Sequence, residues 1–434
     1  MRIGVRVTPD EISAVGVRED GHFARARRSP HGDLTSAVAD ALRSLRSDQD
    51  EPVSSVVFDV SRALVRDADA GVVSVLIEPR APRESRRHLW PSEHIPVDVA
   101  HVGGGHNALG HELVPLDEQA LRRLAEHIAP GAHLVVSAAG SPVNAEHERR
   151  AAEVLRSAAA VGSITESSAF YSDSLLVREF TAILNAVMLA RAEQLAASLE
   201  DAVAQGAGEE VRAFVATNEG GCTPLSRLPI TPVHSMRADV AGEMLGGAAV
   251  AGRTSGRIIV ARRGAVRIGE FVDGLPSVVS RTSLPGGISL ASSFARVVPL
   301  TDLLLSGSAE PPVTVLVEGA ERELAEFGLA PAIGTDEDLV AVGAAVAPAS
   351  YWHNRVARVV GAEDIDRALA DGEAIARANL VAWGAHPSGV RITEARVLAT
   401  TYGEAQMIRV RVRGVAETQV ASLPAARALE ESRA

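Results

Sequence analysis

The sequence predicts an α/β protein built from two related lobes, each opening with a β-hairpin. Three observations predict it. Residues 2–21 (RIGVRVTPDEISAVGVREDG) and 257–274 (RIIVARRGAVRIGEFVDG) follow one plan: Arg, a short apolar run, a turn, a second apolar run and Asp-Gly. Between and after them, segments of helical period alternate with short strand-like runs. The 434 residues suffice for two or three cores, and 46% hydrophobic with 23% charged residues is the balance of a globular chain.

Taken in order, the elements justify that class. The first hairpin turns at Thr8-Pro9-Asp10. Asp33 caps an amphipathic helix to Ser47, and Val53–Asp59 and Val72–Glu78 read as strands. Residues 79–98, rich in Pro, Arg and His, read as a loop. Helices are expected over Asp117–Ala129 and Asn144–Ala160, flanking the strand His133–Ser137. Leu175–Gln205 carries apolar residues at helical spacing and predicts a long helix. Val211–Thr217 is then a strand leading into Glu219-Gly220-Gly221. After the second hairpin come a strand (Val313–Val317), a small-residue helix (Asp336–Val346), a helix (Ala362–Gly384) and a strand pair (Arg391–Ala399, Met407–Arg413). Residues 416–434 read as a loose tail. The lobes are expected over 1–165 and 166–415.

Composition narrows the function. A net charge of −12 argues against a nucleic-acid or anionic-membrane partner. No apolar run approaches the ~20 residues that span a bilayer. MRIGVRVTPDE lacks a signal-peptide core, so a cytoplasmic location is expected. Cys222 is the only cysteine; it reads as a small filler and excludes a thiolate zinc cluster. All 43 basic residues are Arg, which removes Schiff-base lysines and a Walker-type lysine.

Candidate sites are few. His101, His106 and His111 in HVGGGHNALGHE, with Glu112, could surround a metal, but the spacing fits no single helix face. A structural loop around Gly103–Gly105 is the preferred reading, so no metal ligand is assigned. His147 reads as part of a solvated helix start. Glu219-Gly220-Gly221 could present backbone N–H groups to an anion or simply make a sharp turn. No nucleophile elbow and no paired carboxylates stand out.

In order and spacing, several stretches together resemble the hydantoinase A/oxoprolinase family: GGGHNALGHELVPLDEQAL (103–121), PVNAEHERRAAEVL (142–155), LLVREFTAILNAVMLARAEQL (175–195), NEGG (218–221), PVHSMRADVAGEMLGGAAVAG (232–252), DEDLVAVGAAVAP (336–348), ANLVAWGAHPSGVRITEARV (378–397) and IRVRVRG (408–414). The resemblance implies the actin/sugar-kinase/Hsp70-type ATPase fold, with ribonuclease H-like lobes, ATP and Mg²⁺ between them, and an Asp-x-Gly-Gly-Thr pattern in each hairpin. It also implies hydrolysis of a cyclic amide and a protein partner, either a second hydantoinase-type subunit or another copy.

The chain departs from that pattern at both hairpins. Arg6 and Ala261 stand where the leading Asp belongs. Pro9 removes an N–H from the first turn, and Gly264 alone survives in the second. Gly220, Gly221, Ser235, Gly264, Gly319 and Gly343 are the expected remnants of a nucleotide cleft. Arg262 and Arg263 are expected to be solvated. Magnesium usually needs one or two carboxylates. The expectation is therefore a pseudo-enzyme, a structural or regulatory subunit with no cofactor. The alternative is an active ring-opening amidohydrolase, dependent on ATP or not.

Overall fold

Two sheets with a pair of small-residue helices between them organise the chain. The computed structural model describes residues 1–18, 23–30, 32–47, 51–65, 71–80, 96–280, 282–283, 287, 289–300, 312–399 and 406–416. The larger sheet has nine strands, in the order Val390–Ala399, Met407–Ala416, Ala349–Arg358, Cys222–Pro224, Arg212–Ala216, Ser55–Asp59, Arg2–Val7, Ile12–Val17 and Phe23–Arg28. The smaller runs Leu275–Pro276, Ala265–Val272, Gly256–Arg262, Val313–Val317 and Ile333–Thr335, with Val297–Pro299 beside Ala265–Val272.

The duplicated plan has a geometric counterpart. Arg2–Val7 pairs antiparallel with Ile12–Val17 and parallel with Ser55–Asp59. Gly256–Arg262 pairs antiparallel with Ala265–Val272 and parallel with Val313–Val317. Arg6 faces Asp59 across the first parallel pair, and Ala261 faces Leu316 across the second.

Packing follows from the strand alternation. Ile3, Val5, Phe58 and Ile12 bury one sheet face against the helices Leu34–Ser47 and Leu175–Gly206. Val15, Val57 and Phe214 meet the helices Ala238–Val250 and Leu339–Val346 on the other, and Ile258, Val260 and Val315 of the second sheet close the same core. Glycine makes this layer thin. A Cβ at Gly343 would lie 1.9 Å from the Gly242 carbonyl oxygen, and one at Gly4 would lie 1.9 Å from that of Ala341.

The described residues between 72 and 166 form a third body. Four parallel strands, Val97–Gly103, Val72–Glu78, His133–Ala138 and Ser163–Glu166, pack on the helices Glu118–Ala125 and Glu146–Ala158 through Val75, Ile77, Leu121, Leu134 and Leu155.

The expected helices are present within a few residues at each end. Asp33, Asp117 and Asp338 accept backbone N–H bonds at helix starts. Ala349–Arg358 was not anticipated as a strand, although it joins the C-terminal strand pair to the large sheet. Val97–Gly103 begins inside the stretch read as a loop; residues 81–95 of that stretch, Asp20-Gly21 and the tail 417–434 lie outside the described residues. The nine-stranded sheet draws on chain before residue 60, from 212 to 224, and after 348. A lobe boundary near residue 165 therefore separates strands that share one sheet.

Candidate functional site

A narrow cavity lies where the large sheet meets the two small-residue helices. Asp59, Thr217, Gly220, Gly221, Gly242 and Gly343 are among its lining residues. Gly220 adopts φ +85°, which favours glycine, because the chain must reverse between Arg212–Ala216 and Cys222–Pro224. Of the six expected remnants, Gly220, Gly221 and Gly343 thus share one cavity. Ser235 is buried in the turn after Pro232–His234 and is not a lining residue. Gly264 and Gly319 sit together elsewhere, with the Arg263 guanidinium 3.1 Å from the place a Gly319 Cβ would occupy.

Carboxylates that the sequence pattern did not pick out surround the first hairpin. Arg6 Nη1 is 3.2 Å from Asp338 Oδ2, and Asp59 and Asp239 add negative potential at the same guanidinium. Asp338 also caps the helix Leu339–Val346, accepting from the Val340 and Ala341 N–H groups. Asp59 is 1% exposed; Ser61 Oγ donates to its Oδ1 at 2.9 Å, and its Oδ2 has no hydrogen-bond partner. Burial, followed by the charge of Asp239, pushes the Asp59 carboxyl up to about 7. No local sequence signal marks Asp59, Asp239 and Asp338 as neighbours, because they come from three distant segments.

Further ion pairs join the first 62 residues to the segments around the helix pair. Arg25 reaches Asp336 at 2.6 Å and Glu337 at 2.8 Å, and Arg62 reaches Asp239 at 3.0 Å. In each pair the cation comes from the first 62 residues and the anion from the later chain.

At the second hairpin, the chain supplies its own counter-charges. The Gly264 N–H donates to Glu323 Oε1 at 2.8 Å. Arg262 is not simply solvated: its Nε is 2.5 Å from Glu243 Oε1, and Arg267 holds the other oxygen of that buried carboxylate at 2.7 Å. Arg263 leans over Gly319. The expected solvent exposure fails for Arg262, because buried Glu243 requires cationic partners, whereas Arg263 is exposed as expected.

The histidines are arranged differently from the metal reading. His106 is buried and stacks on His147, with ring centres 4.2 Å apart, while His111 is exposed and His101 lies on the strand Val97–Gly103. Among the described residues, no group of three or more His, Cys, Asp or Glu side chains is placed to hold a metal ion. His147, expected to be solvated, is 5% exposed. Its Nδ1 accepts the Gly105 N–H at 2.8 Å and its Nε2 meets Glu112 Oε1 at 3.0 Å, so the ring pins the triple-glycine loop to the helix Glu146–Ala158. Helical periodicity does not report a partner 42 residues away.

Comparison with known proteins places these features in a family context. Residues 82–159, which include the pinned loop, match the hydantoinase/oxoprolinase N-terminal region. Over that stretch the chain resembles the hydantoinase/oxoprolinase family. Its fold is that of acetone carboxylase in a nucleotide-free structure described under ATP-dependent acetone carboxylation, with TM-score 0.70 and 13% identity over 96% of this chain and 88% of that one. It is equally that of an ATP-dependent caprolactamase from Pseudomonas jessenii, with TM-score 0.70 and 13% identity over 98% of this chain and 89% of that one. Identity this low shows the fold alone. The expected two-lobed actin/sugar-kinase-like architecture therefore holds. No curated protein matches the chain in sequence. Among the described residues, no helix is long and apolar enough to cross a membrane.

Proposed function

We propose that this hydantoinase/oxoprolinase-like protein does not hydrolyse ATP and serves as a structural or regulatory subunit. Its partner would be a second hydantoinase-type subunit or another copy of itself. The observation that carries the reading is that Arg6, at the first turn, is ion-paired with Asp338. A fixed guanidinium stands where the resemblance implies a metal-holding carboxylate, and it repels a divalent cation. Glu323 supports the same reading, since it already occupies the Gly264 N–H of the second turn.

The residues as they stand do not fit magnesium triphosphate. Asp338 is committed to Arg6 and to its helix cap, and burial, then the charge of Asp239, disfavours the ionised form of Asp59 that a metal would need. Calorimetric titration of the full chain with Mg·ATP tests the proposal, with no binding expected. A thermal shift of several degrees on adding Mg·ATP, lost in Asp59→Asn, would sink it.

One observation favours the second reading, an active amidohydrolase that opens a cyclic amide. Asp59 is a buried carboxyl with one unengaged oxygen in a cavity and an affinity for protons near neutrality, which suits a general base. Turnover of a lactam or hydantoin by the full chain, abolished in Asp59→Asn, would replace the first reading by this one.

A further inference from the structure

The strand Met407–Ala416 carries charge on one side only. Val410 and Val412 pack with Ala376 of the helix Ala362–Ala382. Arg409, Arg411 and Arg413 alternate with them and so project from the opposite face of the sheet. Aromatic rings hold these guanidiniums in place. Arg409 lies 4.3 Å from the ring centre of Tyr171, and Arg411 and Arg413 lie 4.4 and 5.2 Å from that of Trp352.

Arg409 and Arg411 are each engaged through Nε, with Asn354 Oδ1 at 2.8 Å and Glu394 Oε1 at 3.1 Å. Among the described residues, their terminal amino groups have no hydrogen-bond partner. Arg413 is 4% exposed, and its Nη2 is buried without a partner. Asp173 and Glu219 contribute negative charge at the two ends of the row, beside Arg409 and Arg413. Three stacked arginines, a single carboxylate in ion-pair contact and one orphaned buried nitrogen leave an excess of positive charge in a half-buried place. Burial pulls all three guanidiniums below their usual proton affinity, as expected for cations short of counter-charge.

We propose that this face is a binding site for a small di- or tricarboxylate. Two planar guanidinium forks at alternate strand positions stand about 7 Å apart. Planar carboxylates match such forks through paired N–H···O bonds. Two carboxylates separated by two or three carbons span that distance, whereas a single tetrahedral phosphate fills one fork. The net charge of −12 repels anions at long range, so binding here depends on the local row.

The experiment is calorimetric titration of the full chain with citrate and succinate at low ionic strength, with acetate and inorganic phosphate as comparators. Citrate and succinate are expected to bind at least about 10-fold more tightly than either comparator, through two bidentate contacts instead of one. Arg409→Gln is expected to weaken them by about 10-fold or more. Citrate should also change the tryptophan fluorescence, and Trp352→Phe should remove that change. Arg411→Gln is the stronger test, but Arg411 is buried; should it fail to fold, half-buried Arg409 carries the result. The proposal is overturned by the absence of both heat and fluorescence change, by unaltered affinity in Arg409→Gln, or by phosphate binding as tightly as citrate.

Discussion

Arg6 and Asp338 meet at 3.2 Å, tying the turn of the first hairpin to the N-terminus of the helix Leu339–Val346. The two members are not equivalent. Asp338 also accepts two backbone N–H bonds, whereas among the described residues the Arg6 side chain meets this carboxylate alone and its Nε is buried without a partner. Asp338→Ala therefore loses a cap worth about 1 kcal/mol and strands a half-buried cation, for about 2–3 kcal/mol in total. Arg6→Ala leaves the cap intact and costs about 1 kcal/mol. Urea denaturation of both variants checks the order, and equal costs would contradict it.

Asp59 gives the fold a pH dependence. Its folded proton affinity, about 7, lies above the ordinary carboxyl value of 3.8, so between those values the folded state binds more protons than the unfolded. Stability is thus full below the unfolded value, falls as pH rises through the folded one, and levels off above it. At about 1.4 kcal/mol per unit, the loss reaches a few kcal/mol. Asp59→Asn should flatten the curve between pH 4.5 and 7.5 and be more stable than the parent at pH 8. Denaturation across that range decides; an unchanged slope in the variant refutes the assignment.

Glycine at the helix crossing is required by contact, and at the second turn by backbone angle only. Gly343→Ala drives a methyl into the Gly242 backbone and should cost about 2–3 kcal/mol or prevent folding. Gly264 has φ +78° with nothing within 4 Å of a Cβ, so Gly264→Ala should cost only about 1–2 kcal/mol. Circular-dichroism melts of the two variants separate the causes.

His147 is expected to be a structural pin. His147→Ala leaves the Gly105 N–H without its acceptor and opens a void, for about 2–3 kcal/mol. Glu112→Gln should cost under about 1 kcal/mol, because Glu112 is half exposed and an amide can still accept from Nε2. Elemental analysis should find no stoichiometric zinc; one zinc per chain, lost in the alanine variant, would restore the metal reading.

Local patterns carried much of the fold. Asp33 and Asp117 mark their helix starts because a carboxylate satisfies N–H groups that the helix cannot, whereas the helix expected from Asp336 begins at Leu339, capped by Asp338. The two hairpins were legible because alternating apolar residues around a turn have few other uses. Ala349–Arg358 escaped notice because its exposed arginines and part-buried aromatic residues break the apolar alternation, and its strand identity comes from pairing with Met407–Ala416. The candidate site was half legible: Gly220, Gly221 and Gly343 share the cavity, whereas Gly264 and Gly319 stand apart from it.

By itself, the sequence determined most of the element types, the paired hairpins, the lack of lysine and the presence of Arg6 and Ala261 in the two hairpins. These are properties of short windows or of composition. Tertiary structure alone decided that Asp59, Asp239 and Asp338 would surround Arg6, that Glu323 would take the Gly264 N–H, and that His147 would be buried. Each of these depends on residues far apart in the chain brought within a few ångströms. Coulomb and hydrogen-bond energies depend on distance in space, and a linear pattern does not encode it.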